Sequence, residues 1–222
     1  MSASGEVAAA VAALRRGQVV VLPTDTVYGL AATALRPEGR DALYRLKGRQ
    51  ERQPTALVAG SVETLLACIP ELEAQRALVE ALLPGPYTLV LPNPARRFAW
   101  LCGDTPEAIG VRVPDVVGAA AAVLAGAGPV VATSANLPGA QEPRRLQDVP
   151  EPLRAGAAAL VDGGELPGVA STVLDATGPE PRVLRAGAGD PDAALRLLRE
   201  LGRRRDAGRR RTGPARPDRP AG

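Results

Sequence analysis

Short apolar runs of four or five residues recur along this chain, and most of them are separated by segments in which apolar residues repeat at helical spacing. Residues 19–22 and 129–132 are two of the runs. Residues 38–47 show the helical pattern, with Leu43 and Leu46 facing inward. Because some neighbouring strands lack an intervening helix, the alternation favours a mixed sheet with helices on both faces over a purely parallel sheet.

These patterns predict the positions of the individual elements. Strands are expected at residues 19–22, 56–59, 87–91, 109–113, 129–133, 158–162, 171–175 and 182–185. Helices are expected from the N-cap Ser4 to Gly17, at residues 38–47, 61–68 and 73–83, from Asp115 onward, and from the N-cap Asp190 to about Leu201.

The side chains that fill the core are mainly aliphatic. Of the 222 residues, 45% are hydrophobic but 2% are aromatic, so the core must consist of Val, Leu and Ala. The sequence contains no His, which excludes His-based triads, His metal sites and His general bases. Any catalysis must therefore use other side chains, the substrate itself or a bound metal ion.

The formal charge of +3 conceals two parts of opposite sign. Residues 202–222 contain eight Arg against two Asp, a balance of +6. Subtracting that +6 from the total of +3 leaves −3 for residues 1–201. Since the end of the chain is rich in Arg, Pro and Gly and lacks apolar periodicity, we expect one folded domain over residues 1–201 and a disordered Arg-rich tail over residues 202–222.

The sequence favours a cytoplasmic location. Cys68 and Cys102 form no metal-type pair and nothing else marks a secreted disulfide framework, so reduced thiols are expected. Residues 116–141 lack charge, but they are mostly Ala and Gly and contain Pro129 and Pro138. Such a segment is a poor bilayer helix, and we expect no membrane association.

Polar residues follow two of the apolar runs. Residues 23–30, Pro-Thr-Asp-Thr-Val-Tyr-Gly-Leu, come directly after residues 19–22, and residues 133–136, Thr-Ser-Ala-Asn, come after residues 129–132. Strand ends are where α/β proteins place ligand groups, because the strand fixes the backbone while the loop frees the side chains. Each cluster taken alone also fits a turn or a helix cap. Together they predict a site for a small polar molecule.

Basic side chains add a capacity to bind anions. Lys47 and Arg49 lie at a helix end, where an Arg also favours the helix dipole without any ligand. Arg185 ends an apolar strand, and Arg112 lies inside another. Arg112 needs an anionic partner, since an unpaired buried charge is costly. The candidates are a carboxylate or phosphate of a ligand, or one of the acids nearby in sequence: Asp104, Glu107 and Asp115.

Seven short motifs occur in the order seen in YrdC-type threonylcarbamoyl-AMP synthases. They are residues 23–30, 47–49 (Lys-Gly-Arg), 85–88 (Gly-Pro-Tyr-Thr), 111–114 (Val-Arg-Val-Pro), 134–136 (Ser-Ala-Asn), 171–173 (Ser-Thr-Val) and 185–187 (Arg-Ala-Gly). Each motif alone is weak, but the ordered set is specific, and over residues 5–190 the chain resembles this family. The resemblance implies an α+β fold of three layers, α/β/α, with a twisted mixed sheet and a YrdC-like catalytic domain over residues 1–201.

The resemblance also implies a reaction. Members of the family form L-threonylcarbamoyl-AMP and pyrophosphate from L-threonine, bicarbonate and ATP, with Mg²⁺ accompanying the ATP. The product serves the N6-threonylcarbamoyladenosine modification of tRNA beside the anticodon, through a separate transfer complex. The expected partners are therefore L-threonine, bicarbonate and ATP, together with tRNA or the tRNA threonylcarbamoyl-transfer complex.

The roles of individual residues carry over motif by motif. The resemblance implies that threonine is bound by Thr26, Arg112, Ser134 and Ser171. It implies that ATP is bound by Lys47, Arg49, Gln53, Asn136, Arg144 and Arg185. No residue is expected to form a covalent intermediate or to bind a metal, and Lys47 and Arg49 are expected to position the reactants and stabilise charge. The chain departs from the family at Gln50, where Pro is usual, and at Pro138, where Ser is usual.

Three other functions fit parts of the sequence. An RNA-binding module without catalysis would use the implied cationic cavity and the Arg-rich tail, but one Phe, one Trp and three Tyr are few for stacking on bases. A related carbamoyl-transfer domain occurs in hydrogenase-maturation proteins, beside zinc-finger-like and acylphosphatase-like segments that this sequence lacks. A structural or regulatory relative would be expected to lose charged site residues, and this chain keeps them.

Overall fold

The computed structural model describes the backbone of residues 3–211 and the side chains of residues 4–203. Over this range, seven α-helices surround one nine-stranded sheet. The helices are α1 Ala3–Arg15, α2 Pro37–Lys47, α3 Val62–Cys68, α4 Arg76–Leu82, α5 Gly118–Ala127, α6 Glu151–Ala155 and α7 Pro191–Arg211. The strands are β1 Val20–Pro23, β2 Tyr28–Thr33, β3 Ala56–Val58, β4 Tyr87–Pro92, β5 Ala108–Arg112, β6 Val130–Ser134, β7 Ala159–Leu160, β8 Thr172–Asp175 and β9 Arg182–Arg185.

The strands follow the order β7-β1-β2-β6-β3-β5-β4-β8-β9 across the sheet. β3 runs parallel to β5 and β4 parallel to β8, whereas β2 pairs antiparallel with both β1 and β6. The register places Gly29 of β2 opposite Ser134 of β6, and Val58 of β3 beside Arg112 of β5. The mixed sheet expected from the sequence is confirmed, and its pairing brings polar residues from distant parts of the chain to the middle of the sheet.

Helices cover both faces of the sheet, because side chains alternate along each strand. Val21 and Val131 belong to a large core that also contains buried residues of α2, α3, α4 and α7. Val20 and Val130, one residue earlier on the same strands, pack on the other face with α1 and α5. Each such aliphatic side chain contributes roughly 1.5–3 kcal/mol when it is fully buried. The structure thus has the expected three layers, α/β/α.

The layer formed by α1 and α5 leaves part of its face of the sheet open. On that face the central strands carry small residues: Gly29 and Ala31 on β2, Ala56 on β3, Gly110 on β5 and Ala132 on β6. Since these side chains are too small to fill the space above the sheet, a cavity remains there.

Two elements, β2 and α6, are missing from the sequence-based expectation. The residues of β2, Tyr-Gly-Leu-Ala-Ala-Thr, include Gly and Ala, which are poor strand formers. The strand forms because it lies between β1 and β6, with all of its residues buried. Residues 24–27 are accordingly a tight turn between two strands rather than an open loop.

The last helix extends ten residues beyond its expected end near Leu201. Ala194 and Leu198 are buried in the core and anchor its first half. Arg is a good helix former, so the helix continues past that contact. Residues 202–211, expected to be disordered, are therefore helical, and residues 212–222 of the predicted tail lie outside the described residues.

Candidate active site

A cavity of about 540 Å³ lies over the middle of the sheet, on the face that α1 and α5 leave partly open. Its floor includes the small residues of β2, β3, β5 and β6. Polar and charged side chains also line it: Thr24, Arg49, Thr55, Thr88, Thr105, Arg112, Thr133, Ser134, Ser171, Asp175, Thr177 and Arg185. A cavity of this size accommodates a small-molecule ligand.

The first polar cluster joins the turn between β1 and β2 to β5. Arg112 donates from Nη2 to a carboxylate oxygen of Asp25 and to Thr26 Oγ1, the latter at 2.8 Å. The other carboxylate oxygen of Asp25 accepts the backbone N–H of Asp115 at 3.2 Å. Arg112 thus pairs with an acid that lies far away in sequence and is brought to β5 by the fold. This ion pair corrects the expected partner acids, Asp104, Glu107 and Asp115.

Hydrogen bonds within the turn hold this cluster in place. Thr24 Oγ1 donates to the Val27 carbonyl oxygen at 2.7 Å and accepts the backbone N–H groups of Thr26 and Val27 at 3.2 Å. The side chains of Asp25 and Arg112 are only 10% and 12% exposed. Burial lowers the pKa of Arg112, and the carboxylate of Asp25 opposes that shift. Asp25 therefore compensates a charge that is almost removed from water.

The second cluster surrounds the ammonium of Lys47 at the end of α2. Gly48 follows in the left-handed conformation, with φ of 67°, and ends the helix. Lys47 Nζ lies within hydrogen-bond distance of four oxygens: Ser134 O at 2.5 Å, Thr133 Oγ1 at 3.1 Å, Ser134 Oγ at 3.2 Å and Asn136 Oδ1 at 3.2 Å. The hydrogen bonds of Lys47 therefore link the end of α2 to the end of β6.

Arg49 lies beside this second cluster. Its Nη1 donates to Thr133 Oγ1 at 2.9 Å, and its Nη2 donates to the Pro54 carbonyl oxygen at 2.6 Å. The guanidinium also lies over the ring of Tyr44, with its central carbon 5.4 Å from the ring centroid. These contacts hold the guanidinium in place at the cavity, which Arg49 lines.

The ammonium of Lys47 gives up its proton more easily than that of an exposed lysine. Burial, followed by the nearby charge of Arg49, lowers the pKa of Lys47 to about 8, and the charge of Glu142 opposes the shift. Two cations held together and partly buried are stabilised by a bound anion. The electrostatics of this cluster therefore suit a phosphate group.

The third cluster connects β4, β8 and β9. Arg185 donates to the Ser171 carbonyl oxygen from Nε at 3.2 Å and from Nη2 at 2.8 Å, and its Nη2 is 3.2 Å from Ser171 Oγ. Ser171 Oγ lies 2.9 Å from Thr88 Oγ1. The resemblance groups Arg185 with the ATP site, but the structure places it against Ser171, a residue expected to bind threonine.

Four of the six expected ATP-binding residues are not among those that line the cavity: Lys47, Gln53, Asn136 and Arg144. Lys47 and Asn136 reach it through hydrogen bonds to the lining residues Thr133 and Ser134. Gln53 is exposed, and its backbone carbonyl oxygen accepts the hydroxyl of Tyr44 at 2.5 Å. Arg144 donates from Nε to the Leu166 carbonyl oxygen at 3.2 Å and pairs with Glu165 at 2.8 Å. Apart from Gln53 and Arg144, the expected residues form contacts within the three clusters: Thr26 with Arg112, Ser171 with Arg185, and Lys47, Arg49, Ser134 and Asn136 around the end of β6.

Tyr28 fixes a distant segment over the turn, a role that the sequence did not indicate. Its Oη lies 2.8 Å from Asp162 Oδ1 and accepts the backbone N–H of Gly163 at 2.9 Å. The side chain is fully buried, and burial raises the pKa of this phenol to about 12. Nearby, the N–H of Gly168 donates to the Thr26 carbonyl oxygen at 2.9 Å. These bonds dock the segment from Asp162 to Gly168 onto the turn.

Asp25, Thr88 and Thr133 also belong to the clusters, although the sequence alone assigns a binding role to none of them. Asp25 and Thr88 lie inside two of the motifs, and Thr133 directly precedes a third. The sequence feature that marks these residues as site candidates is therefore their position within or beside a strand-end motif. Strand pairing, which the sequence does not display, determines which of these residues meet.

The positive charges around the cavity are unevenly compensated. Among the described residues, Arg112 forms an ion pair with Asp25, whereas Arg49, Lys47 and Arg185 donate hydrogen bonds to neutral oxygens. Arg49 and Arg185 line the cavity, and Lys47 binds its lining residues Thr133 and Ser134. Together these cations create a local positive potential that attracts anions. The fold and the site together define a three-layer α/β protein with a cationic pocket for an anionic small molecule.

Comparisons with known proteins then give the family. The family model for Sua5, YciO and YrdC proteins, described as telomere recombination, matches residues 12–187, and this chain belongs to that family. A relative from Mycobacterium tuberculosis is 34% identical over 200 residues, which cover 88% of this chain and 89% of the relative. A Bacillus subtilis protein named threonylcarbamoyl-AMP synthase is 34% identical over 184 residues, covering 82% of this chain and 53% of its own length.

Solved structures share the fold. Pyrococcus abyssi Sua5 complexed with L-threonine matches with a TM-score of 0.76 at 33% identity, over 86% of this chain and 56% of that chain. Escherichia coli YciO matches with a TM-score of 0.70 at 26% identity, over 83% of this chain and 90% of that chain. The YrdC-like fold implied by the order of the motifs is confirmed.

Proposed function

We propose that this protein is an enzyme that forms L-threonylcarbamoyl-AMP and pyrophosphate from L-threonine, bicarbonate and ATP. The observation that carries the proposal is the convergence of three polar clusters at one cavity. Arg112 and Ser171 line the cavity, and the cluster of Lys47 reaches it through Ser134. The Bacillus subtilis relative named threonylcarbamoyl-AMP synthase and the Pyrococcus abyssi structure with L-threonine support it. The same comparisons favour an enzyme over an RNA-binding module without catalysis.

We assign the amino-acid substrate to the clusters of Arg112 and Ser171. Arg112 and Arg185 supply cationic donors for a carboxylate, while the hydroxyls of Ser171 and Thr88 suit the polar groups of threonine. Thr26 is fully buried and hydrogen-bonded to Arg112, so its part would be to hold the guanidinium rather than to touch the substrate. Arg185 therefore moves, in this assignment, from the nucleotide side to the amino-acid side.

We assign the phosphates of ATP to Lys47 and Arg49, together with residues 134–136. Ser134, which the resemblance groups with threonine, moves in this assignment to the phosphate side, because its Oγ lies 2.7 Å from Asn136 Oδ1 and 3.2 Å from Lys47 Nζ. The cationic pair matches a phosphate chain in charge, and the guanidinium matches it in shape. Contacts of Gln53 and Arg144 with ATP stay predictions from the resemblance.

The chemistry in this scheme needs no nucleophile from the protein. The amine nitrogen of threonine attacks the carbon of bicarbonate, and water leaves as the carbamate forms. An oxygen of the carbamate then attacks the α-phosphorus of ATP, and the bond from that phosphorus to the oxygen bridging to the β-phosphate breaks, which releases pyrophosphate. Holding the reactants in line contributes roughly 7–11 kcal/mol. Lys47 and Arg49 would stabilise the charge that collects on the phosphates.

Mg²⁺ would enter with the phosphates of ATP rather than occupy a site made by the protein. Among the described residues, no group of three or more acidic or Cys side chains is arranged to hold a metal ion. Both oxygens of Asp25 are engaged, and so are those of Asp175, which bind Thr177 and Arg182. The ion would supply charge neutralisation on the phosphates.

We place the reaction in the cytosol, upstream of the N6-threonylcarbamoyladenosine modification of tRNA, with the transfer step made by a separate complex. Cys68 and Cys102 are both free thiols, in keeping with a reducing compartment. Over residues 3–211, no helix is both long enough and apolar enough to cross a membrane.

The direct test is product formation. Purified protein incubated with ATP, Mg²⁺, bicarbonate and L-threonine is expected to release pyrophosphate and to accumulate threonylcarbamoyl-AMP, detected by mass spectrometry. Product should disappear when threonine or bicarbonate is omitted, and L-serine is the matched amino-acid control. Absence of product from the complete mixture, under conditions in which the Bacillus subtilis enzyme works, would refute the proposal.

A further inference from the structure

The nitrogen atoms of the Arg112 guanidinium are not equivalent in this site. Nη2 uses both of its N–H bonds, one on Asp25 and one on Thr26. Nε is buried and has no hydrogen-bond partner. Nη1 forms no hydrogen bond with any residue that the structure describes, but unlike Nε it is not buried. Arg112 lines the cavity. Nη1 is therefore the nitrogen through which Arg112 can reach a ligand.

Asp25 causes this inequality. One of its carboxylate oxygens occupies Nη2, and the other is held by the backbone N–H of Asp115 at 3.2 Å, so the carboxylate has little freedom to turn. Its charge also compensates Arg112, which otherwise faces the second guanidinium of Arg185 across the same cavity. Burial and the charge of Arg185 lower the pKa of Arg112, while Asp25 acts in the opposite direction. Without Asp25 the cavity would contain a buried, uncompensated cation.

We propose that Asp25 is a positioning residue of the amino-acid side of the site, an inference that rests on the proposed function and deepens it. Asp25 neutralises Arg112 and restricts it to one outward donor, Nη1, which orients the carboxylate of the amino-acid substrate. A free guanidinium binds a carboxylate through two parallel N–H···O hydrogen bonds from two of its nitrogens. Here Asp25 and Thr26 already occupy Nη2, so that arrangement is not available to the substrate. The same neutralisation keeps small inorganic anions from occupying the cavity.

The test compares Asp25→Asn with Asp115→Asn in the full-length protein. Each substitution removes one carboxylate, and the two residues are neighbours in space. Asp115 is exposed and holds Asp25 through its backbone N–H, which the substitution leaves in place, so the control variant is expected to keep wild-type kinetics. Asp25→Asn leaves Arg112 uncompensated and frees Nη2 for any anion that enters the cavity.

Two measurements decide the role of Asp25. In thermal melts with increasing sodium sulfate, Asp25→Asn is expected to gain melting temperature beyond the gain of wild type and of Asp115→Asn. In kinetics, its kcat is expected to fall about tenfold or more because the substrate is held in the wrong orientation. The KM for threonine should stay level or fall, and sulfate should compete with threonine. Asp25→Glu, which restores the charge, should abolish the sulfate response.

Equal sulfate responses and equal kcat values for Asp25→Asn and Asp115→Asn would overturn the proposal. If Asp25→Asn does not fold, the double variant Asp25→Asn/Arg112→Gln decides, because it removes both charges of the pair. A folded double variant without a sulfate response supports charge compensation by Asp25, and an unfolded one contradicts it. The melts need no turnover, so a wild-type protein that makes no threonylcarbamoyl-AMP refutes the proposed function while the sulfate response still tests Asp25.

Discussion

Lys47 and Ser134, 87 positions apart in the chain, meet through the lysine Nζ, which lies 2.5 Å from the Ser134 carbonyl oxygen and 3.2 Å from its Oγ. The same nitrogen is 3.2 Å from Asn136 Oδ1. One side chain at the end of α2 thus determines the position of the loop after β6. Since we assign that loop to the nucleotide, removing the ammonium tests the assignment.

Lys47→Met replaces the ammonium with an apolar group of similar length. The oxygens of Ser134 and Asn136 lose a charged donor, and a bound phosphate loses a cation; hydrogen bonds of this type are worth about 1.5–3 kcal/mol. We expect the affinity for ATP, measured by calorimetry without threonine, to fall about 10–100-fold. The affinity for threonine should stay nearly unchanged.

Arg45→Met is the matched control for that variant, because Arg45 is an exposed cation in the same last turn of α2. It should bind ATP as the wild type does. If Lys47→Met instead lost threonine affinity and kept ATP affinity, the partition of the cavity would be wrong.

The lowered pKa of Lys47 makes the stability of the protein depend on pH. Its pKa falls from an ordinary 10.5 to about 8 in the folded protein, mainly through burial. Below about pH 8, Lys47 is protonated in both the folded and the unfolded protein, and burial of its charge destabilises the folded protein. Between about pH 8 and 10.5 the unfolded chain binds more protons, so the free energy of unfolding attributable to Lys47 rises with pH. Allowing for solvent screening, the rise is about 1–3 kcal/mol.

Urea denaturation of the wild type and of Lys47→Met across this pH range isolates the effect. Other titrating groups contribute similarly to both proteins, so the difference between their unfolding free energies reports on Lys47. That difference is expected to move in favour of the wild type as the pH rises. A flat difference would mean that the amine is not buried in the way its contacts indicate.

Tyr28→Phe should weaken the attachment of the segment from Asp162 to Gly168. The substitution removes the hydroxyl that binds Asp162 and accepts the N–H of Gly163, and it leaves both groups with fewer partners. We expect a loss of about 1–2 kcal/mol in the free energy of unfolding. Amide hydrogen exchange should accelerate at Gly163, whose N–H binds Tyr28 Oη, and at Gly168, whose N–H binds the Thr26 carbonyl oxygen in the turn.

Tyr87→Phe serves as the control for Tyr28→Phe. The hydroxyl of Tyr87 makes a long hydrogen bond of 3.3 Å to the Asp190 carbonyl oxygen, away from the turn. Its removal should leave the exchange of Gly163 and Gly168 unchanged. Equal acceleration in the two variants would show that Tyr28 does not anchor the segment specifically.

Much of the fold could be predicted from the sequence because most strands are short apolar runs. β1, β4 and β6 lie within a residue or two of their expected positions. β2 was missed because its Gly and Ala residues favour no strand by themselves, and it depends on two neighbouring strands for its hydrogen bonds. The small residues that hide this strand from sequence analysis are the same ones that leave room for the cavity.

The candidate site could be predicted as a set of residues but not as a set of contacts. The apolar strand around Arg112 predicts that this residue needs an acid, but the sequence points only to acids near it in the chain. The actual partner, Asp25, reaches Arg112 because β1 and β2 lie in the same sheet as β5, a relation that only the topology supplies. In the same way, strand pairing rather than motif order placed Arg185 beside Ser171.

Arg185→Lys distinguishes the assignment of Arg185 to the amino-acid substrate from its assignment to ATP. Lysine keeps the charge but cannot reproduce the paired donation from Nε and Nη2 to the Ser171 carbonyl oxygen. If the guanidinium faces the amino acid, the KM for threonine should rise about tenfold while the KM for ATP changes little.

Arg182→Lys on the same strand is the control for Arg185→Lys, because Arg182 is 73% exposed and pairs with Asp175. It should leave both KM values near those of the wild type. A rise in the KM for ATP alone in Arg185→Lys would favour the grouping implied by the family motifs over the one drawn from the contacts. The contacts predict the opposite, since the hydroxyl of Ser171 lies 3.2 Å from Arg185 Nη2, whereas Lys47 and Arg49 gather around the end of β6.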